Sequence, residues 1–342
     1  MTVSGVVVVG GSAGSHPALL KLAAGLPADL PAAVLVVIHI RAQVSSRLPQ
    51  ILSRAGQLPA AHVSDGVPLR NGEVLVAPPG FHLLVAGRAA RLGGGPRVNR
   101  VRPAVDVLFD TAARAFGPQV TAVVLSGLLD DGAVGAALVS RAGGRVLVQA
   151  PDQAPYGSMP RAALAAAPGA MAVPADQLAR AVVRAVHQAA AEPAAAGTAR
   201  EVLDVQRGSA VMKMTDSSDP GFLAEGETRV TRLACPECGG GMAEISLPSI
   251  SYFHCHVGHQ FAPQALAAAQ AETSEAKLWA AVAALEEQAV GLRQLEEQEP
   301  AGAPADQRDS REQSPEHALS AGEITELANI IRAHLQRGRD AR

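Results

Sequence analysis

Ser12 stands in a Gly-x-Ser-x-Gly turn that directly follows four consecutive valines, Val6–Val9. The valines predict a buried parallel strand, and a helical pattern begins at about residue 17. In this strand-turn-helix context a serine hydroxyl is exposed as a nucleophile, and the start of the helix supplies N–H groups for an oxyanion. A phosphate-binding glycine loop is the alternative. However, Gly10, Gly11 and Gly14 do not have the Gly-x-Gly-x-x-Gly spacing.

A serine nucleophile requires a base, and the base requires an acid that orients it. His39 closes a second apolar run, and Asp130 and Asp131 follow a third one near residues 121–126. The carboxyl ends of parallel strands lie at one edge of a sheet, so these groups can meet Ser12 there. An aspartate at this edge could hold the Nδ1–H of His39, although either one could instead cap the next helix. The pattern predicts serine-type hydrolysis with the chain order Ser, His, Asp.

The elements that must position these groups alternate between strand and helix from residue 1 to about residue 190. Such alternation predicts an α/β fold: a doubly wound, mostly parallel sheet with helices on both faces. An exception is a hairpin of residues 81–85 and 89–92 with a glycine turn. Predicted strands are 5–10, 33–40, 73–77, 121–126, 145–149 and 170–173, and predicted helices are 16–25, 44–55, 104–116, 132–142, 160–166 and 175–190.

Composition excludes several classes of partner. The 342 residues carry a net charge of −3, so bulk electrostatics predict no affinity for nucleic acid. No apolar run approaches the ~20 residues of a membrane span, and the first residues lack the basic region of a signal peptide. We therefore expect a soluble cytoplasmic protein that is not embedded in a membrane. Aromatic residues are only 3% of the chain, which predicts a core of Ala, Val and Leu.

Several ordered motifs together resemble the catalytic domain of CheB-type chemotaxis-receptor methylesterases, over about residues 3–190. The resemblance implies hydrolysis of glutamyl γ-methyl esters on the cytoplasmic helices of methylated receptors, and deamidation of glutamine side chains on the same receptors. Because the serine lies so close to the first residue, we expect a stand-alone catalytic domain without a receiver domain. The motifs are Gly10–Gly14, Ile38-His39, Val76–Gly80, Asn99-x-x-Arg102-Pro103-Ala104-Val105-Asp106, Leu125–Ala133 and Tyr156–Pro160.

The resemblance also implies roles for individual residues, and it implies no cofactor for catalysis. The backbone N–H of Leu128 stands where the family has a Met that helps to bind the oxyanion. Ala13, in the same oxyanion and substrate region, replaces a residue that is often hydroxylated in the family. Asp130 becomes an extra carboxylate beside the acid. The triad roles of nucleophile, general base and acid fall to Ser12, His39 and Asp131.

All three cysteines lie in one short segment with the spacing C-x2-C-x16-C-x3-H. Paired thiolates with a second half-site predict a closed, tetrahedral structural zinc site. His254 and His256 are alternative fourth ligands, and a redox role for the C-x-x-C pair is a weaker rival. The segment also resembles an extension found on some stand-alone members of the family. The predicted metal ligands are Cys235, Cys238, Cys255 and His259.

The fold prediction therefore adds a small zinc-ribbon-like module and C-terminal helices to the catalytic domain. The long helix has apolar residues at helical spacing, which fits either packing on the catalytic domain or self-association into a homodimer. A non-catalytic α/β scaffold with a zinc-nucleated interaction arm is the competing hypothesis from another functional class. The predicted division is a catalytic domain 1–190, a linker 191–230, a zinc module 231–263, a long helix 264–298, a disordered linker 299–318, and a short helix with a tail 319–342.

Overall fold

The computed structural model describes residues 3–40, 44–191, 227–297 and 319–340. Most of the predicted linker 191–230 and all of the predicted disordered segment 299–318 lie outside the described residues. The chain divides into two compact units, Met1–Ala267 and Ala268–Arg342. The first unit holds the sheet and the segment with the cysteines. The second holds most of the long helix together with the last helix.

A seven-stranded sheet forms the centre of the first unit, and all its neighbouring strands are parallel. The strands are β1 (Val6–Gly11), β2 (Ala33–Ile38), β3 (Ala60–His62), β5 (Val74–Val76), β8 (Val120–Val124), β9 (Arg145–Gln149) and β10 (Met171–Val173). Their order across the sheet is β10-β9-β8-β1-β2-β5-β3. The chain runs to one side of β1 first and later returns to the other side. The strand order therefore reverses between β1 and β8, where ligand sites of such sheets are found.

Helices cover both faces of this sheet, and the α/β fold class is confirmed. Val6 and Val8 of β1 belong to one apolar cluster, whereas Val7 and Val9 belong to another on the opposite face. Alternation along a strand produces this division, and burial on both faces explains the uninterrupted valines. The helices are α1 (His16–Gly25), α2 (Leu48–Ala55), α3 (Val105–Phe116), α4 (Ala133–Arg141), α5 (Ser158–Ala166) and α6 (Leu178–Ala191).

Two smaller antiparallel sheets complete the first unit. The first contains the predicted hairpin, β6 (His82–Ala86) and β7 (Ala89–Gly93), with the short β4 (Val67–Pro68) at its edge. The second belongs to the Cys/His module, which we define as residues 227–262. Its first strand begins at Glu227, four residues before the predicted start of the zinc module. The module's strands are β11 (Glu227–Ala234), β12 (Gly241–Ser246), β13 (Ser251–Cys255) and β14 (Gln260–Phe261).

The Cys/His module packs on α4 of the catalytic part. Val134 of that helix shares one apolar cluster with Ile245, Leu247, Tyr252 and Ala262. The Oγ of Ser249 donates a hydrogen bond to the carbonyl oxygen of Ala166 at the end of α5. The module is therefore held against the two helices that follow β8 and β9.

In the second unit two helices run antiparallel to each other. They are α7 (Pro263–Glu297), which begins in the first unit, and α8 (Ala321–Asp340). Arg332 forms an ion pair with Glu286, and Arg293 donates a hydrogen bond to the Oγ1 of Thr325 at 3.5 Å. The sequence did not predict this pairing, and self-association through the long helix stays a prediction. Among the described residues no helix is both long and apolar enough to cross a membrane.

Candidate active site

Ser12 follows β1 directly, at the position where the strand order of the sheet reverses. Its backbone N–H donates to the carbonyl oxygen of Ser126 at 2.9 Å, and its own carbonyl oxygen accepts the Oγ of Ser15 at 2.7 Å. Gly14 has a φ of +72°, and a Cβ there would approach Pro155 to 2.7 Å. The turn therefore needs glycine both for its conformation and for space, and it presents the Ser12 side chain at the edge of the sheet.

His39 follows β2 and stands beside Ser12, because Gly11 and Ile38 are register partners in the sheet. Nδ1 of His39 lies 3.1 Å from Oγ of Ser12, and Nε2 lies 2.6 Å from Oδ2 of Asp131. The carboxylate only accepts hydrogen bonds, so Nε2 carries the proton and the lone pair of Nδ1 faces the serine hydroxyl. The expectation that Asp holds the Nδ1–H was wrong, because the ring enters the site with its other nitrogen towards the acid.

Asp131 is buried, and within the part of the chain that the structure describes it is the aspartate that reaches His39. Its Oδ2 also accepts the N–H of Val105 at 2.7 Å, and its Oδ1 accepts the N–H of Asp106 at 3.1 Å. These N–H groups belong to the first turn of α3, where unpaired donors and the helix dipole favour a negative charge. Burial alone would raise the pKa of Asp131, but His39 and these N–H donors outweigh it and lower the pKa below its ordinary value.

Asp130 points away from the triad. Its two carboxylate oxygens accept the N–H groups of Gln264 and Ala265, at 2.6 and 3.0 Å, in the first turn of α7. Burial raises the pKa of Asp130 to about 6, although these two hydrogen bonds oppose the shift. Neither aspartate caps α4 with its side chain, so the alternative role considered for them was wrong. The N-cap of that helix is Gly132, with a φ of +96°.

Asn99 is also buried in this site. The sequence analysis placed it in a motif but assigned it no role. Its Nδ2 donates to Oδ2 of Asp106 at 2.8 Å and to Oδ1 of Asp131 at 2.9 Å. Burial and the neighbouring Asp131 charge raise the pKa of Asp106 well above its ordinary value. Asn99 has a φ of 51° and Arg100 has a φ of 65°, a left-handed pair that is unusual for residues with a Cβ. This unusual backbone conformation draws attention to Asn99, and it is visible in the structure but not in the sequence.

The turn after β8 faces Ser12 across the sheet edge. A Cβ added to Gly127 would come within 2.0 Å of the Sδ of Met159 and 2.9 Å of the Cβ of Ser12, so only glycine allows this approach. Leu128, which follows it, is 52% exposed. In the described part of the chain, neither the N–H of Ala13 nor that of Leu128 donates a hydrogen bond. Both N–H groups are therefore available to bind an oxyanion.

The three cysteines and His259 come together in the Cys/His module. Their ligand atoms lie within 4.8 Å of one another, in a cluster to which neither His254 nor His256 belongs. The Sγ atoms of Cys238 and Cys255 are 3.6 Å apart, and Nδ1 of His259 lies 3.5 Å from Sγ of Cys255. A tetrahedral zinc ion with Zn–S bonds of ~2.3 Å requires S–S separations of about 3.8 Å. The donor set and its dimensions therefore fit zinc.

Two tight turns build this cluster. The N–H of Cys235 donates to the carbonyl oxygen of Gly240, and the N–H of Gly239 donates back to the carbonyl oxygen of Cys235, both at 2.8 Å. In the second turn the N–H of Cys255 donates to the carbonyl oxygen of His259 at 3.1 Å. Each turn presents two ligands on one side, which is how paired half-sites grip a single ion.

Comparisons with known proteins find both a matching family model and similar curated sequences. Residues 7–182 match the family model described as CheB methylesterase. The chain is 38% identical over 177 residues to protein-glutamate methylesterase/protein-glutamine glutaminase 2 of Anaeromyxobacter dehalogenans, covering 52% of each chain. It is 42% identical over 146 residues to protein-glutamate methylesterase/protein-glutamine glutaminase 4 of Myxococcus xanthus, covering 42% of this chain and 41% of that relative.

The fold is similar to a solved structure as well. The crystal structure of the Thermotoga maritima CheB methylesterase catalytic domain matches with a TM-score of 0.50 and 28% sequence identity. The match covers 53% of this chain and 97% of that one. The chain spans about half the length of the curated relatives that it matches.

Proposed function

Because the chain belongs to the CheB methylesterase family, we propose that it hydrolyses γ-methyl esters of glutamyl side chains on the cytoplasmic helices of chemotaxis-type receptors. The observation that supports this most directly is the continuous path from Ser12 Oγ through the His39 ring to Asp131, with separations of 3.1 and 2.6 Å. The proposed substrate assigns the reaction to the cytoplasm.

In the acylation step Nδ1 of His39 takes the proton of the Ser12 hydroxyl while Oγ attacks the ester carbonyl carbon. The negative charge that develops on the carbonyl oxygen is bound by the N–H groups of Ala13 and Leu128. Asp131 stabilises the imidazolium, and its hydrogen bonds to α3 keep it in place. His39 then returns the proton to the methoxy oxygen, and methanol leaves a glutamyl-Ser12 ester.

In the second step water attacks this acyl-enzyme, with His39 as base again, and releases the free glutamyl carboxylate. The curated relatives are also named protein-glutamine glutaminases. Deamidation follows the same route, because ammonia replaces methanol as the leaving group and the acyl-enzyme is identical. Both reactions use the same nucleophile, base and acid at this edge of the sheet.

We propose in addition that Cys235, Cys238, Cys255 and His259 bind one zinc ion. Four protein ligands leave no open coordination position, so the ion would supply folding energy to the Cys/His module rather than chemistry at the ester. Hydrolysis itself requires no cofactor.

The decisive experiment measures methanol release from a methylated receptor, or from a peptide with a glutamyl methyl ester, by the wild-type chain and Ser12→Ala. We expect release by the wild type and a loss of ~10⁴-fold or more in the variant, with unchanged circular dichroism. A fluorophosphonate probe provides the second readout, since only an activated serine reacts. A folded wild-type chain that neither reacts with the probe nor releases methanol would support the non-catalytic scaffold.

A further inference from the structure

The Cys/His module contacts the loop that supports the triad acid. The N–H of Ala262, a residue 1% exposed, donates to Oδ1 of Asn99 at 2.7 Å. The backbone N–H of Asn99 donates in turn to the carbonyl oxygen of Gln260 at 2.8 Å. The end of the module therefore binds Asn99 by both its backbone and its side chain.

The amide of Asn99 has a defined orientation. Its two Nδ2 hydrogens go to the carboxylates of Asp106 and Asp131, so its Oδ1 must face a donor on the opposite side. Ala262 provides that donor. The contact from the module thus fixes which edge of the amide faces Asp131, the residue that orients His39.

Other contacts attach the module to the same region. Glu237, which lies between two of the cysteines, pairs with Arg100 at 3.5 Å. The first turn of α7, which directly follows the module, is bound by the carboxylate of Asp130. His259 of the cluster is three residues before Ala262, so an ion bound there also restrains the segment that reaches Asn99.

We propose that Asn99 is a positioning residue for the triad, and that the metal-bound Cys/His module completes the active site by holding Asn99 through Ala262. This inference rests on the proposed hydrolase function. Asn99 acts through Asp131 and does not touch substrate. Loss of the amide leaves Asp131 with one donor fewer, and loss of the metal leaves the Asn99 amide free to turn away from Asp131.

The first test compares full-length variants at residue 99. Asn99→Gly keeps the left-handed backbone and removes the amide, and we expect kcat to fall by ~10- to 100-fold with KM within about twofold. Asn99→Asp keeps the shape and the acceptor for Ala262 but removes the donor to Asp131. If Asn99 acts by donating a hydrogen bond to Asp131, Asn99→Asp should not restore the kcat that is lost in Asn99→Gly. Recovery of wild-type kcat in Asn99→Asp, or full kcat in Asn99→Gly, would overturn the assignment.

Ser249→Ala is the matched control, because it removes a hydrogen bond of the module to Ala166 without touching Asn99. We expect its kcat to stay within about twofold of the wild type. A loss as large as that in Asn99→Gly would show that any weakening of the docking has the same effect, and would refute the specific role of the amide.

The second test removes the metal from the wild-type chain and from Asn99→Gly with a zinc chelator, and follows metal content, kcat and hydrogen exchange of residues 97–106. We expect metal removal to lower kcat and exchange protection in the wild type. It should lower the kcat of Asn99→Gly little further, since both changes interrupt one path. This arm still decides the question if Asn99→Gly does not fold. Full kcat and unchanged protection in the metal-free wild type would overturn the coupling.

The two levels of the proposal fail in different ways. If the wild-type chain shows no hydrolysis and no probe labelling, the proposed function fails. The exchange measurement then still reports whether the metal orders residues 97–106. If the wild type is active but neither Asn99 nor the metal affects kcat, only the inference about Asn99 fails.

Discussion

Asp130 and Asp131 are consecutive, but their carboxylates bind the beginnings of two different helices, and their pKa values move in opposite directions. Asp131 faces the first turn of α3 and His39, and its pKa is lowered. Asp130 faces the first turn of α7, and burial raises its pKa to about 6. One residue is thus held ionised beside the base, whereas its neighbour titrates just below neutral pH.

The Asp130 shift predicts a pH-dependent stability. The pKa of this carboxyl rises from 3.8 in the unfolded chain to about 6 in the folded chain, so the folded state binds more protons between these values. Its contribution to the free energy of unfolding therefore decreases as the pH rises from about 4 to about 6, by up to about 3 kcal/mol. We expect urea unfolding to show that the free energy of unfolding of the wild type, minus that of Asp130→Asn, decreases as the pH rises over this range.

The variant itself provides the control, because it cannot titrate at this position and shares every other titrating group. A stability difference that is constant between pH 4 and pH 7 would contradict the raised pKa. If the free energy of unfolding of the wild type, minus that of the variant, increased with pH, the pKa of Asp130 would be lowered rather than raised.

Variants of the same two aspartates distinguish the catalytic role of Asp131 from the contact of Asp130 with the first turn of α7. Asp131→Asn removes the charge that stabilises the imidazolium and can place an amide N–H against Nε2, so we expect kcat to fall by ~10⁴-fold. Asp130→Asn changes a carboxylate that does not face His39, and we expect a loss below about tenfold. Methanol release by the two variants under identical conditions measures both values. Equal losses would contradict the assignment of the acid.

Gly127 predicts a steric effect on the nucleophile. Gly127→Ala would place a methyl group against Met159 and the Cβ of Ser12, which should displace the serine and reduce kcat by ~100-fold. Gly94→Ala is the matched control, because no atom lies within 4 Å of a Cβ at that position. Kinetics with a methyl-ester peptide compare the two variants. Wild-type kcat in Gly127→Ala would contradict the prediction, because the turn would then accommodate the methyl group without displacing Ser12.

The metal site predicts one zinc ion per chain. Cys255→Ser should lose the ion and unfold β12 and β13, which the ligand turns hold together. His256→Ala should retain the ion, because His256 is exposed and lies outside the cluster. Metal analysis and hydrogen exchange of residues 241–255 measure the outcome. Zinc retained by Cys255→Ser, or lost by His256→Ala, would change the ligand assignment.

The sequence predicts the central strands of the sheet well, because they are buried on both faces. The four valines of β1 and the apolar run of β2 are long and uninterrupted, and parallel strands deliver the residues after them to one edge. That rule brought Ser12, His39 and Asp131 into one hypothesis. It does not detect β3, whose three residues Ala60–His62 have no such apolar run.

The remaining features depend on orientation or on distant contacts, which periodicity does not encode. Nothing in the sequence shows which nitrogen of His39 faces Asp131, since both are within reach of an acid. Residue type could not show which of Asp130 and Asp131 is the triad acid, because the two differ only in the helix whose first turn each one binds. The pairing of Arg332 with Glu286 is equally invisible, since many apolar and charged partners fit a long helix.

The hydrogen bond between Asn99 and Ala262 joins positions 163 residues apart. While the polypeptide is being made on the ribosome, the strands and helices up to residue 191 can assemble before Ala262 has been added. The nascent protein therefore contains Ser12, His39 and Asp131 well before the amide that steadies the acid finds its last partner. Full hydrolytic competence would then be acquired late in synthesis, only after residue 262 has left the exit tunnel.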